Sequence, residues 1–258
     1  MATKIIIAAH KKYEIPKTDI YIPIHVGANG KESIGYTGDN TNDNISDKNY
    51  SYCELTGLYY AYKNLDFDIL GLVHYRRYFK GNEKAIINGK KHKIIGESEI
   101  IKDLSKYDIL LPKKRHYYIE TNKSQYVHAH HEEGLIECEK ALLKLYPEYI
   151  PEWKKMLKMR SGHRFNMFIA KRELVENYSN WLFDILFEIE KNLDISNWNS
   201  SEQRVFGYLS ERLIDVYVLH NHLKVKNKKY FFAEKQHWFK KIFNFIKRKF
   251  KKRKINNI

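Results

Sequence analysis

The densest group of reactive side chains is His74-Tyr75-Arg76-Arg77-Tyr78, which follows directly on the apolar run Ile69 to Val73. An imidazole beside two guanidiniums suits an anionic ligand, and the planar guanidinium fork matches phosphate especially well. The apolar run has the character of a buried parallel strand. Open α/β sheets bind ligands beyond the carboxyl ends of such strands. The same residues would also suit an edge strand running into a solvated basic turn, so the rest of the chain must decide.

Two further strand-like runs end in cations. Lys4 to Ala9 leads into His10-Lys11-Lys12, and Asp108 to Pro112 leads into Lys113-Lys114-Arg115-His116. If these strands are neighbours, the three ends share one rim. Carboxylates are the second ingredient, because a reaction that removes a proton needs a general base. The candidates are Asp39 and Asp43 in the polar loop 35–49, Glu54, Glu202 and Glu211. Each has a structural alternative. The loop aspartates can make Asx-turns, Glu54 stands three residues after Ser51 in a capping-box spacing, and Glu211 can pair with Arg212. We place the base at Asp39, Asp43 or Glu211.

Metal chemistry has weaker support in the sequence. Asp39, Asp43 and Asp47 could hold a hard cation such as Mn or Mg through oxygen ligands. Asp66-Phe67-Asp68 has a metal-carboxylate spacing but precedes its strand. His128, His130 and His131 lack the i, i+4 spacing of helical zinc sites and have no cysteine partners. We expect no obligatory cofactor, with a divalent cation such as Mn or Mg as the alternative, and we expect Arg76 or Arg77 to neutralise a bound anion. His130, His131 and Asn166 are further candidate ligand contacts. No phosphate-cradling Gly-x-x-x-x-Gly-Lys run exists, which argues against a nucleotide hydrolase.

The elements that must position these groups alternate. Strands are expected at 4–9, 20–26, 69–73, 108–112, 165–170 and 216–219. Helices are expected at 52–64, 98–104, 135–145, 173–193 and 202–214. Such alternation argues for an α/β fold around a largely parallel sheet. Residues 80–96 are Lys- and Gly-rich and look like an exposed excursion; 117–131 show no clear period. Cys53 and Cys138 form no framework and no metal spacing. The first residues enter a strand with no charged-then-apolar leader, and no apolar run is long enough to span a bilayer.

The formal net charge is +15. Residues 234–258 hold ten Lys or Arg and one acid, a net +9, leaving +6 for everything before. In this tail Trp238, Phe239, Ile242, Phe243, Ile246 and Phe250 recur at helical spacing among lysines. That is the composition of an interfacial helix on an anionic membrane. Nucleic acid is disfavoured as a partner because the body carries no matching basic stripe. We divide the chain into a domain at 1–232 and a membrane-associating tail at 233–258.

Several blocks together resemble a known family. They are Gly38 to Ser46, Lys48-Asn49, Tyr52 to Thr56, Tyr62 to Asn64, Gly71 to Phe79, Tyr107 to Pro112, Asn166 to Ile169, Trp181 to Phe187 and Arg204 to Leu213. In this order they resemble the bacterial capsular and exopolysaccharide biosynthesis glycosyltransferases, a family first recorded only as a domain of unknown function. The resemblance runs to about Tyr230. It implies a single nucleotide-sugar-transferase domain of the GT-A type, with β-galactofuranosyl transfer from UDP-galactofuranose among its members. Two features depart from expectation: Asn42-Asp43 replaces a glycine-containing loop, and no Asp-x-Asp follows a buried strand.

The expected function is therefore a UDP-sugar-dependent hexosyltransferase. It would move galactofuranose or galactose, with inversion, to a lipid-linked oligosaccharide of a capsule, exopolysaccharide or O-antigen. His10, Lys11, Lys48, Asn49, His74, Tyr75, Arg76 and Arg77 are then the expected donor contacts, with Arg76 or Arg77 on the diphosphate, and His130, His131 and Asn166 are the expected acceptor contacts. The expected location is cytoplasmic, peripheral on the inner face of the cell membrane. The alternative is a non-catalytic, membrane-associated module that binds a nucleotide or phosphate.

Overall fold

Alternating side chains build the centre of the structure, a computed structural model that describes residues 1–234. The chain begins β1 (Thr3–Ala9), β2 (Tyr21–His25), β3 (Thr37–Gly38), α1 (Asn49–Tyr52), α2 (Leu55–Asn64) and β4 (Ile69–His74). It continues β5 (Arg77–Ile87), β6 (Lys90–Ile94), α3 (Glu97–Leu104), β7 (Ile109–Pro112), β8 (Arg115–His116) and α4 (Asn122–Ala129). Then follow α5 (Glu133–Leu145), α6 (Ile150–Lys158), β9 (Ser161–Gly162), β10 (Phe168–Lys171), α7 (Arg172–Asn192), α8 (Val205–His220), β11 (Val225–Lys228) and β12 (Tyr230–Phe232).

The sheet order is β11-β7-β10-β4-β1-β2-β3. In this path β10 runs against β4 and β7, and the other pairings are parallel. Strand residues alternate between faces with period two. Ile6, Ala8, Leu70, Leu72 and Leu111 face the core under the helices, with Leu58, Trp153, Leu186 and Leu213 packed there. Ile5, Ile7, Ile69, Val73 and Ile169 face the other core, closed by Phe79, Ile87, Ile94 and Ile100. Both faces are covered, which explains the unbroken apolar runs Ile5 to Ala9, Ile69 to Val73 and Ile109 to Pro112. The expected α/β fold with a mostly parallel sheet is what forms.

Several local expectations need correcting. Residues 80–96 form the β5–β6 hairpin, closed by Asn88 and Gly89, both with positive φ. That Asn-Gly pair is a turn signal which the surrounding lysines obscure. The Val216–Leu219 run lies inside α8, where Val216 and Tyr217 pack on the core; the late strands are β11 and β12. Segment 117–131 contains α4, capped by a reciprocal Thr121–Ser124 box. The expected helix over 52–64 breaks at Cys53, whose φ is 55°. Glu54 then leads α2 without any side-chain cap, and Ser51 Oγ instead donates to Lys48 O. The tail positions Trp238, Phe239, Ile242, Phe243, Ile246 and Phe250 lie outside the described residues.

Among the described residues no helix is long and apolar enough to cross a membrane.

Candidate active site

The site begins where β1 and β4 end side by side, with Ala8 opposite His74. Tyr75 N–H donates to Ala8 O at 3.2 Å. The chain reverses at once, because His74 already pairs with Arg77 at the start of β5. Tyr75 and Arg76 therefore form the tip of a tight turn over the rim.

Each residue of the turn does something different. Arg76 N–H donates to His74 Nδ1 at 3.2 Å, so the neutral ring carries its proton on Nε2. Burial, then Arg77 and Arg76, lower the His74 pKa to about 2. Tyr75 is 1% exposed. It stacks on Tyr13 at 4.0 Å, meets the His10 ring edge-on at 5.0 Å, and carries the Arg76 guanidinium 4.7 Å above its ring. Tyr75 is thus a platform for Arg76 and His10. Arg77 turns away, with its guanidinium 4.4 Å over Phe165 and 5.5 Å over Phe232. Burial lowers its pKa, opposed first by Glu54 and then by Glu211.

The break at Cys53 builds the facing wall. Asn49 Nδ2 donates to Cys53 O and to Thr56 Oγ1, bracing the break. Gly27 beneath it has φ 63°, and a Cβ there would stand 2.6 Å from Asn49. Glu54 points into the cleft and accepts from Asn166 Nδ2 at 2.9 Å. Burial raises the Glu54 pKa, and the nearby Glu211 raises it further. Asn166 is the second of two left-handed residues, after Phe165 at φ 79°. An aromatic residue in that conformation is strained, and such strain collects at functional sites. Glu211 Oε1 holds the turn by accepting from Phe165 N–H at 2.9 Å, and Ser210 Oγ donates to Asn166 Oδ1 at 2.7 Å.

Arg204 completes the cleft from the start of α8. Its Nε donates to Cys53 Sγ at 3.1 Å, and its guanidinium lies 5.6 Å over Tyr208. The resulting cleft has a volume of about 280 Å³, with His10, His74, Arg76 and Arg204 facing Asn49, Tyr50 and Glu54. Fixed positive charge thus meets one partly buried carboxylate, an arrangement able to bind an anion and accept a proton. A larger groove of about 830 Å³ runs beside α3. Its central Lys228 is held by Glu99 at 2.5 Å and Asp103 at 3.0 Å, so its charge is already spent.

Other expected residues lie elsewhere. Asp39 is fully buried; it accepts from Gly27 N–H at 2.9 Å, Ala28 N–H at 3.1 Å and Ser46 Oγ. It fixes a turn and does not line the cleft. Asp39→Ala is expected to cost about 2–4 kcal/mol of unfolding free energy, read by urea denaturation. Asp43 accepts from Tyr59 Oη, and its carbonyl accepts from Asn64 at the far end of α2 from Glu54. Glu211 is committed to the Phe165 turn and to Arg212. Lys48 pairs with Glu190 at 2.7 Å, away from the cleft. Lys11 lies 5.0 Å over Tyr13 at the outer end of β1. Asn166 holds Glu54 rather than facing outward.

His130 packs on Tyr208 at 4.0 Å, and His131 stacks on Trp198 at 4.2 Å. They extend the wall beyond Arg204. The third cationic strand end is displaced, because β10 separates β7 from β4 by about 10 Å across two strand spacings. Lys114 there lies 3.9 Å from Asp215, which also bonds the buried His163 at 2.6 Å. Arg204 and Glu54 reach His74 only through the fold, and no spacing in the sequence links them. Among the described residues no group of three or more His, Cys, Asp or Glu is arranged to hold a metal ion.

The family described as "Domain of unknown function (DUF4422)" matches residues 4–222. Among solved structures, the apo structure of WbbM, a bifunctional glycosyltransferase, is similar with a TM-score of 0.80 and 31% sequence identity. The similarity covers 91% of this chain and 46% of that one, so this chain spans about half of WbbM's length. No curated protein matches.

Proposed function

The chain belongs to the family described as a domain of unknown function (DUF4422), and on that footing we propose that it is a glycosyltransferase using a nucleoside-diphosphate sugar. The observation that carries this is the cleft pairing Arg76 and Arg204 with the partly buried carboxylate of Glu54. The likeness to a glycosyltransferase supports it.

In this reading the donor diphosphate lies against Arg76 and Arg204. His10 and Tyr50 flank the nucleoside, and His74 Nε2–H donates to a donor oxygen. The acceptor hydroxyl enters beside Glu54 along the wall bearing His130 and His131. Glu54 takes the hydroxyl proton as the acceptor oxygen bonds to the anomeric carbon. The bond from that carbon to the diphosphate breaks, and the charge that develops on the leaving group is met by fixed guanidiniums. Attack opposite the leaving group inverts the configuration. Asn166, braced by Ser210, aims the base, so our assignment moves from Asp39, Asp43 or Glu211 to Glu54.

The resemblance of the sequence supports finer detail. The donor is a UDP-sugar, galactofuranose or galactose, and the acceptor is a lipid-linked oligosaccharide of a capsule, exopolysaccharide or O-antigen. The basic tail keeps the enzyme peripheral on the inner face of the membrane. Release of UDP from a panel of UDP-sugars tests the reading: one or two donors should turn over. Tight UDP binding with no turnover across the panel would instead identify a binding module.

The pH dependence has a definite sign. Glu54 must be ionised to act, and burial raises its pKa. The value of kcat/KM should rise with pH along a limb whose midpoint lies above the ordinary glutamate value of about 4.3. His74 stays neutral down to about pH 2 and adds no limb. A rate profile from pH 4.5 upward, with no acidic limb at all, would contradict the assignment.

A further inference from the structure

Beyond the cleft, the same edge of the sheet carries side chains that the chemistry does not use. Tyr118 is 81% exposed and Ile119 65% exposed. The loop holding them is anchored. Tyr117 N–H donates to Arg160 O at 2.8 Å, Arg160 donates to Tyr118 O at 2.9 Å, and Arg164 Nε donates to Tyr117 Oη at 2.7 Å. Tyr118 itself is left-handed, with φ 57°. A fixed loop thus presents two apolar side chains to solvent.

Cations adjoin them in the chain, and Arg160 reaches the Tyr118 carbonyl. Residues 113–119 contain three Lys or Arg and no acid, and Lys113, Arg115 and Arg160 are exposed. The loop follows β7, which runs parallel to β4, so it leaves the sheet on the edge that carries His74 and Arg76. The chain also leaves the described structure on this edge. Phe232 pairs with Arg77, Ala233 N–H donates to Arg76 O at 2.9 Å, and Glu234 lies 3.9 Å from Arg76 Nε. The residues after Glu234 hold ten Lys or Arg, interleaved with Trp238, Phe239, Ile242, Phe243, Ile246 and Phe250.

We propose that this rim is a membrane-docking face. Tyr118 and Ile119 enter the interfacial layer of an anionic bilayer, and Lys113, Arg115 and Arg160 meet its phosphate headgroups. Exposed apolar groups ringed by cations bind anionic lipid through both burial and charge. The cleft then opens along the bilayer instead of away from it. Docking does not depend on sugar transfer; the benefit of facing a lipid-linked acceptor does rest on that reading.

The test uses the full chain and sedimentation with phosphatidylglycerol-containing vesicles, with phosphatidylcholine vesicles for comparison. Tyr118→Ser/Ile119→Ser should weaken binding to the anionic vesicles by about tenfold, from lost apolar burial. Release of UDP with a soluble acceptor should be unchanged. Tyr118→Trp should add quenching by brominated lipid beyond that of the parent's own tryptophans. Unaltered partitioning of the double variant, or no added quenching at position 118, overturns the proposal. Equal binding to single-stranded RNA and to anionic vesicles, both insensitive to the double variant, also overturns it. Failed docking with intact turnover removes the docking face alone, and intact docking without turnover removes the transferase reading alone.

Discussion

Glu54→Gln is expected to lower kcat by about 10²–10⁴-fold, the range for loss of a positioned general base. Glutamine has the shape of glutamate and keeps an oxygen for Asn166 Nδ2, which now donates to Glu54 at 2.9 Å. It cannot take a proton. The donor KM should change little, because the lost interaction belongs to the transition state. The acidic limb of the rate profile should vanish together with the activity. The variant should fold, since the amide removes a charge whose burial is unfavourable. Steady-state kinetics at saturating donor, with circular dichroism as the control, decide it. Activity within about threefold of the parent, well inside the expected loss, would move the base elsewhere.

Arg76→Ala should be the second large effect, lowering kcat/KM by about 10²–10³-fold. Arg76 sits at the tip of the His74–Arg77 turn, laid on the Tyr75 ring at 4.7 Å. Its charge is in place before the donor arrives, so no reorganisation is needed when the diphosphate leaves. Both kcat and donor KM should worsen, because the diphosphate is charged in the ground state and more so in the transition state. Arg76→Lys should recover only part of the loss, since a point charge replaces a planar fork. Arg77 is a poor control for this experiment. Its guanidinium packs on Phe165 and Phe232, so its removal disturbs the turn that carries Asn166. Initial rates with varied donor concentration separate the two parameters.

The parts of this site differ in how far the sequence discloses them. His74 to Arg77 is legible because an apolar strand stops abruptly and charge begins. The strands β1, β4 and β7 and the helices α3, α5 and α7 are legible because burial imposes a period of two, 3.6 or an unbroken apolar run. The β5–β6 hairpin is hidden by exposed lysines, since its residues pair with each other at the edge. The break at Cys53 is hidden because Ser51 and Glu54 mimic a helix cap, whereas tertiary contacts with Asn166 and Gly207 decide the backbone there. Glu54 and Arg204 stand far apart in the chain and meet only through the packing of α1 against α8. Asp39 misleads for the opposite reason. A buried carboxylate that satisfies backbone N–H groups looks, in sequence, like one free to do chemistry.

A crystal structure with UDP bound should show the diphosphate within hydrogen-bond reach of Arg76 and Arg204, with the nucleoside beside His10 and Tyr50 and with Glu54 left free toward the acceptor side. UDP bound in the groove beside α3, or in the cleft with its diphosphate turned away from both arginines, would contradict this placement.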